Sequence, residues 1–190
     1  MTNEIIDQIP ACVRFNDEDA QALIRNKDVL LTLEDGLIDG FYDSVYSYDI
    51  TRAVFTDDER AAREQTLRDW FRRTLNGPFD ESYWKWQTFV GLVHIKRKVN
   101  NAMVSGMWGW ILTYLSENAL DKMEIDEAKV VIKALHSLQA AVMALISESY
   151  LRNMFVAVDK ASGINEPLLM RLVNIEIDDM LADARENGIS

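Results

Sequence analysis

Two histidines and one cysteine, His94, His136 and Cys12, make up this chain's complement of nitrogen and thiolate metal ligands. Neutral imidazole ligates metals and relays protons near neutral pH, so the surroundings of each ring decide what it can do. His94 lies in FVGLVHIKRKV, flanked by Phe89, Val90 and Val93. In such apolar company an imidazole serves either as a metal ligand in a dry site or as a hydrogen-bonded core side chain, and the stretch alone fits both. His136, in HSLQAAVMAL, sits in a long helical segment where a histidine needs no special role. One thiol makes neither an intramolecular disulfide nor a cysteine-based zinc site.

Helices must position these side chains. Apolar residues recur at helical spacing, and only three prolines and eight glycines punctuate 190 residues. Pro10 closes a short N-terminal arm. Asn16, followed by Asp17, Glu18 and Asp19, offers the side-chain oxygen and negative charge that a helix start favours. A helix is expected from Asp28 to Tyr46, with Leu30, Leu37, Ile38, Phe41, Tyr42 and Val45 on its apolar stripe, then an irregular turn from Asp49 to Phe55. Thr56 and Glu59 form a capping box opening a helix from Asp57 to Leu75, stopped by Asn76-Gly77-Pro78. Asp80 caps the helix that carries His94, and Asn100-Asn101 is a soft boundary. Further helices run from Met103 to Leu115 and from Asp126 to Val158; Ser162-Gly163 breaks the second, and Asn165 with Pro167 starts the last. With no strand run, the fold class is all-α, with six to eight helices.

Composition narrows the function classes. With 48% hydrophobic residues the chain can build a sizeable core, and one domain over residues 1–190 is the expectation. Twenty basic against 31 acidic residues leave a net charge of −11, which repels phosphate backbones and argues against nucleic-acid binding. The acidic N-terminus lacks a basic segment followed by an apolar run, and no uninterrupted apolar stretch approaches a membrane span. A cytoplasmic protein with no membrane partner is expected.

Three segments, FYDSVYSYDITRAVF, TLRDWFRRTLNGPFDESYWKWQTFVGLVH and NAMVSGMWGWI, together resemble the protoglobins and the globin domains of globin-coupled sensors. Phe41-Tyr42 followed thirteen residues after Tyr42 by Phe55 is similar to the distal aromatic pair and the heme-packing phenylalanine. Trp70 precedes His94 by 24 residues, the spacing from the distal helix to the proximal histidine. The run Tyr83…Trp86…Val90-Gly91-Leu92-x-His94 resembles the proximal helix signature. The likeness spans residues 16–158.

The resemblance implies a globin-like fold with an extra N-terminal helix and, beyond the family pattern, an added C-terminal helix at 165–187. It implies heme b (iron protoporphyrin IX) held noncovalently, since no Cys-x-x-Cys-His run occurs. His94 would be the metal ligand. Phe41, Val45, Phe55, Leu67, Trp86 and Val90 would contact the cofactor. Gly91 would relieve bulk near the macrocycle, and Tyr42 would face a diatomic gas. Arg63 would reach a propionate; the run Lys96-Arg97-Lys98 is either a second such group or a solvated charge cluster. The connection from Phe55 to Trp70 is shorter than in archaeal protoglobins. The implied function is reversible binding of dioxygen, carbon monoxide or nitric oxide for gas sensing or handling, without catalysis. The alternatives are a nitric oxide dioxygenase or peroxidase on the same scaffold, or a heme-free signalling module. No kinase, cyclase or chemoreceptor segment lies within the 190 residues, so a sensor would need a separate partner. A homodimer is expected through the 103–115 and 126–158 helices, using Met107, Trp108, Leu138, Val142, Leu145 and Ile146.

Overall fold

The computed structural model describes residues 1–188, all helix and connecting turns among the described residues. Ten α-helices follow in order: α1 Thr2–Asp7, α2 Asp17–Arg25, α3 Lys27–Leu31, α4 Glu34–Ser47, α5 Asp49–Arg52, α6 Arg60–Asn76, α7 Glu81–Arg97, α8 Asn101–Lys122, α9 Ile125–Ser162 and α10 Glu166–Glu186. A 3-10 turn, Asp57–Glu59, precedes α6. The all-α expectation holds, but the count exceeds the six to eight read from the sequence. The surplus is in short pieces: α1 forms within the N-terminal arm, and α5 within the segment expected to be an irregular turn.

The expected helix from Asp28 to Tyr46 is two helices. At the break, Thr32 and Leu33 bond back three residues, to the carbonyls of Val29 and Leu30 at 3.1 and 3.0 Å. The Thr32 hydroxyl also donates to Val29, and the Tyr114 hydroxyl donates to the Leu33 carbonyl at 3.3 Å. Neither glycine nor proline marks this tightening, so no sequence punctuation announces it. Elsewhere the caps stand where the residue types place them. Asn16 accepts from the backbone of Glu18 and Asp19, Asp80 from Tyr83, Asn100 from Met103 and Asn165 from Leu168. Gly77 ends α6 at φ +62°, a conformation that side-chain-bearing residues rarely adopt.

The chain forms two compact units, residues 1–149 and 150–190. In the first, one apolar core joins Leu23 of α2, Leu30 of α3, Leu37 of α4, Phe71 and Leu75 of α6, Tyr83 of α7, Leu115 of α8 and Leu138 of α9. A second cluster of Ile38, Tyr42 and Val45 gathers Phe41, Phe55, Leu67 and Met107 around it. α4 lies tight against α8: a Cβ on Gly36 would collide with the Tyr114 hydroxyl, and one on Gly40 would stand 2.8 Å from Trp110. The Trp110 and Tyr114 rings stack at 5.3 Å over this pair of glycines. α9 is long and apolar enough to cross a membrane by length and composition, yet half of its most apolar window is buried inside the fold. In the second unit, no residue of α10 is buried, and Ile175, Met180 and Leu181 are among its exposed apolar side chains.

The residues expected to form a dimer surface do not lie on a surface. Trp108, Leu138, Val142, Leu145 and Ile146 are all buried in the first unit, and Met107 packs against the Tyr42 cluster. These side chains fall on the face that each helix buries in the core, so the apolar richness expected to be surplus is used within the first unit.

Candidate functional site

The site begins with α7. Asp80 fixes its start by accepting the Tyr83 N–H at 2.9 Å. From there Trp86, Gln87, Val90, Val93, His94 and Arg97, spaced by one or two turns, border a cavity of about 420 Å³ within the first unit. α4 contributes Phe41, Tyr42 and Val45, the segment after it Thr51, Val54 and Phe55, and α6 Arg63, Thr66, Leu67 and Trp70. α8 and α9 supply Ile111 together with Met107, Trp108, Val142 and Ile146, four of the six side chains expected at a dimer surface. All nine residues singled out from the sequence, Phe41, Tyr42, Val45, Phe55, Arg63, Leu67, Trp86, Val90 and His94, therefore line one space. Their placement is common; their roles remain expectations.

Three polar side-chain atoms are buried without a hydrogen-bond partner among the described residues: Arg63 Nε, Gln87 Nε2 and His94 Nδ1. All three belong to residues bordering this cavity. Buried polar groups are normally satisfied, so these three leave unmet hydrogen-bonding or ligating capacity at the cavity wall. Burial pushes the His94 imidazole down to about 4, which keeps it neutral, with a nitrogen lone pair to offer, at pH 7. The lining includes no other histidine and no carboxylate.

Tyr42 is 5% exposed, and its hydroxyl donates to the Arg63 carbonyl at 2.8 Å. Burial raises its pKa above that of an ordinary phenol, so the proton stays on the oxygen. Phe55 meets the Tyr42 ring edge-on at 6.4 Å. The hydroxyl that was expected to face a gas is thus held by the first part of α6.

Arg97 stands one turn beyond His94 and gives two hydrogen bonds to Glu59, at 2.8 and 3.0 Å. That fork holds the Glu59 carboxyl down at about 2. Of the basic run, Arg97 alone lines the cavity, whereas Lys96 and Lys98 are exposed. Gly91 is buried and outside the lining. His136 is exposed and outside the cavity. Gln87 went unnoticed in the sequence, although a polar residue seven positions before His94 shares its helical face.

The protoglobin family model matches residues 2–155. The chain belongs to the protoglobin family. Among solved structures, the globin domain of a Geobacter sulfurreducens globin-coupled sensor is similar to it, with a TM-score of 0.69 and 24% identity. The alignment covers 78% of this chain and 96% of that domain. At this identity the likeness speaks for the globin fold. No curated protein matches the chain. For this protoglobin-family chain, α1 lies within the matched residues and α10 beyond them.

Proposed function

We propose that this globin binds one heme b through His94 and reversibly takes up a diatomic gas, serving as a gas sensor or gas-handling protein. The observation that carries the reading is the neutral, unpartnered His94 facing an apolar cavity of about 420 Å³. Among the described residues no three His, Cys, Asp or Glu side chains cluster into a metal cage. An ion at His94 would draw its other ligands from a non-protein group, as a porphyrin provides.

Heme, when bound, supplies an iron with an open position for dioxygen, carbon monoxide or nitric oxide. The chain's own residues do the rest. His94 would offer its lone pair. Phe41, Val45, Phe55, Leu67, Trp86 and Val90 would exclude water, and Arg63 and Arg97 would face the carboxylates. Tyr42 would donate a hydrogen bond to a gas held in the pocket once its bond to Arg63 is released. The absence of a second histidine or a carboxylate from the lining supports gas binding over peroxidase-type acid–base chemistry.

An absorption spectrum tests the reading. The purified chain should show an intense Soret band, and His94→Ala should lose most of the heme. His136→Ala, on an exposed site, should leave the spectrum unchanged. Full heme content with an unaltered spectrum in His94→Ala would remove His94 as ligand. We further propose a cytoplasmic homodimer through α8 and α9, passing its signal to a separate partner. What supports it is exposed apolar side chains on α9, Val130 in the first unit, 42% exposed, and Leu151 and Met154 in the second.

A further inference from the structure

Glu59 ends the 3-10 turn before α6, and Arg97 ends α7. Their side chains are 28% and 26% exposed, so the bidentate pair sits at the boundary between cavity and water. Glu59 also accepts the Thr56 N–H at 3.4 Å, which anchors it to its own turn. One turn further along α6, Arg63 borders the cavity with its Nε buried and unpartnered. One guanidinium, Arg97, is thus paired with Glu59, and a second, Arg63, has an unpartnered N–H, beside an apolar space whose lining contains no acid.

Arg binds carboxylates fork to fork, and a charged carboxylate does not enter an apolar interior unpaired. An apolar disc bearing carboxylates at its edge, as heme b does, would fill the cavity and leave those carboxylates at this boundary. Arg63 offers a free N–H there, but the Arg97 fork is already filled by an internal carboxylate of the same geometry. We propose that Glu59 is a built-in stand-in for a carboxylate of the cofactor, and that Arg97 exchanges Glu59 for that carboxylate as the cavity fills. The inference rests on the heme reading above. It makes Glu59 a competitor of the cofactor and Arg97 a residue with two alternative partners.

The experiment follows hemin transfer from the ferric holoprotein to excess apomyoglobin, with ordinary hemin and with hemin whose carboxylates are methyl esters. Glu59→Gln keeps an oxygen for the Thr56 N–H and removes the competing charge. With ordinary hemin, E59Q should lose the cofactor roughly two- to fivefold more slowly than wild type, the scale of one partly exposed ion pair. Arg97→Gln should lose it faster by at least as much, and E59Q should have no effect in the R97Q background. Protein loaded with the diester should be insensitive to both changes. Faster or unchanged loss in E59Q, or an E59Q effect that persists in R97Q, overturns the exchange and leaves the heme reading intact. Absence of a Soret band in every protein, wild type included, would remove the heme reading and the exchange with it.

Discussion

At the residue scale, the bond between Tyr42 and the Arg63 carbonyl sets how much the tyrosine can contribute to gas affinity. A hydrogen bond to a partly charged acceptor is worth roughly 1.5–3 kcal/mol, and the neutral bond given up for it roughly 0.5–1.5 kcal/mol. The difference, about 1 kcal/mol, is about fivefold in affinity. Tyr42→Phe should therefore speed dioxygen loss from the heme-loaded protein by about fivefold, rather than the tenfold or more of a freely poised phenol. Carbon monoxide, which carries little charge on its oxygen, should respond much less. Stopped-flow measurement of both gases decides this; equal acceleration of the two would point to a steric gate. The spacing of Tyr42, Phe55 and His94 was legible in the sequence because it is carried by helix geometry. The Arg63 partnership was not, because it depends on where a carbonyl in another helix comes to rest. Gln87 escaped for a related reason: without burial, nothing distinguishes a cavity-facing glutamine from a surface one.

At the scale of elements, α4 and α6 share the cavity wall, and one carboxylate ties them. Glu34, in the first turn of α4, is 7% exposed and bonds Arg72 at 2.7 Å through both oxygens and Arg68 at 2.6 Å. The Arg72 hydrogen bonds, reinforced by Arg68, hold its carboxyl below the ordinary 4.5 against the opposing effect of burial. A carboxylate whose pKa is lowered on folding stabilises the fold above its unfolded value, and that stability is lost as pH falls through the folded value. Glu34→Gln should thus lower stability at pH 7 by about 1–2 kcal/mol, less than for a fully buried pair because Arg72 reaches solvent. The gap from wild type should narrow below about pH 4. Thermal melts across pH 3–8 check this, and a gap independent of pH would mean the clamp acts by packing alone. Caps and stops were readable at this scale because each needs a particular residue type at a particular place. The division of α3 from α4 was not, since it arises from three-residue back-bonding with no glycine or proline. It matters for the site: α4 starts afresh at Glu34, and Gly36 and Gly40 then seat it against α8.

At the scale of the molecule, the all-α class and the protoglobin resemblance were legible from helical periodicity and ordered motifs. The assembly surface was not. Trp108, Leu138, Val142, Leu145 and Ile146 looked surplus to one core only while α8 and α9 were counted as two-sided helices. All five are buried within the first unit, and Trp108, Val142 and Ile146 also line the cavity. Apolar side chains that stay exposed on α9 include Val130, Leu151 and Met154, and the proposed homodimer would draw on such residues. Sedimentation at tens of micromolar should show a dimer, and Leu151→Glu with Met154→Glu should shift it toward monomer without loss of helicity. Only monomer in the wild type would end the proposal.

Trp70, Trp86 and Trp108, three of the chain's five tryptophans, stand around the cavity. Indole emission overlaps the absorption of a porphyrin, and energy transfer over such short separations is nearly complete. The protein thus carries its own optical gauge of occupancy. Titrating the empty chain with hemin should darken most of its ultraviolet fluorescence, with an endpoint at one equivalent.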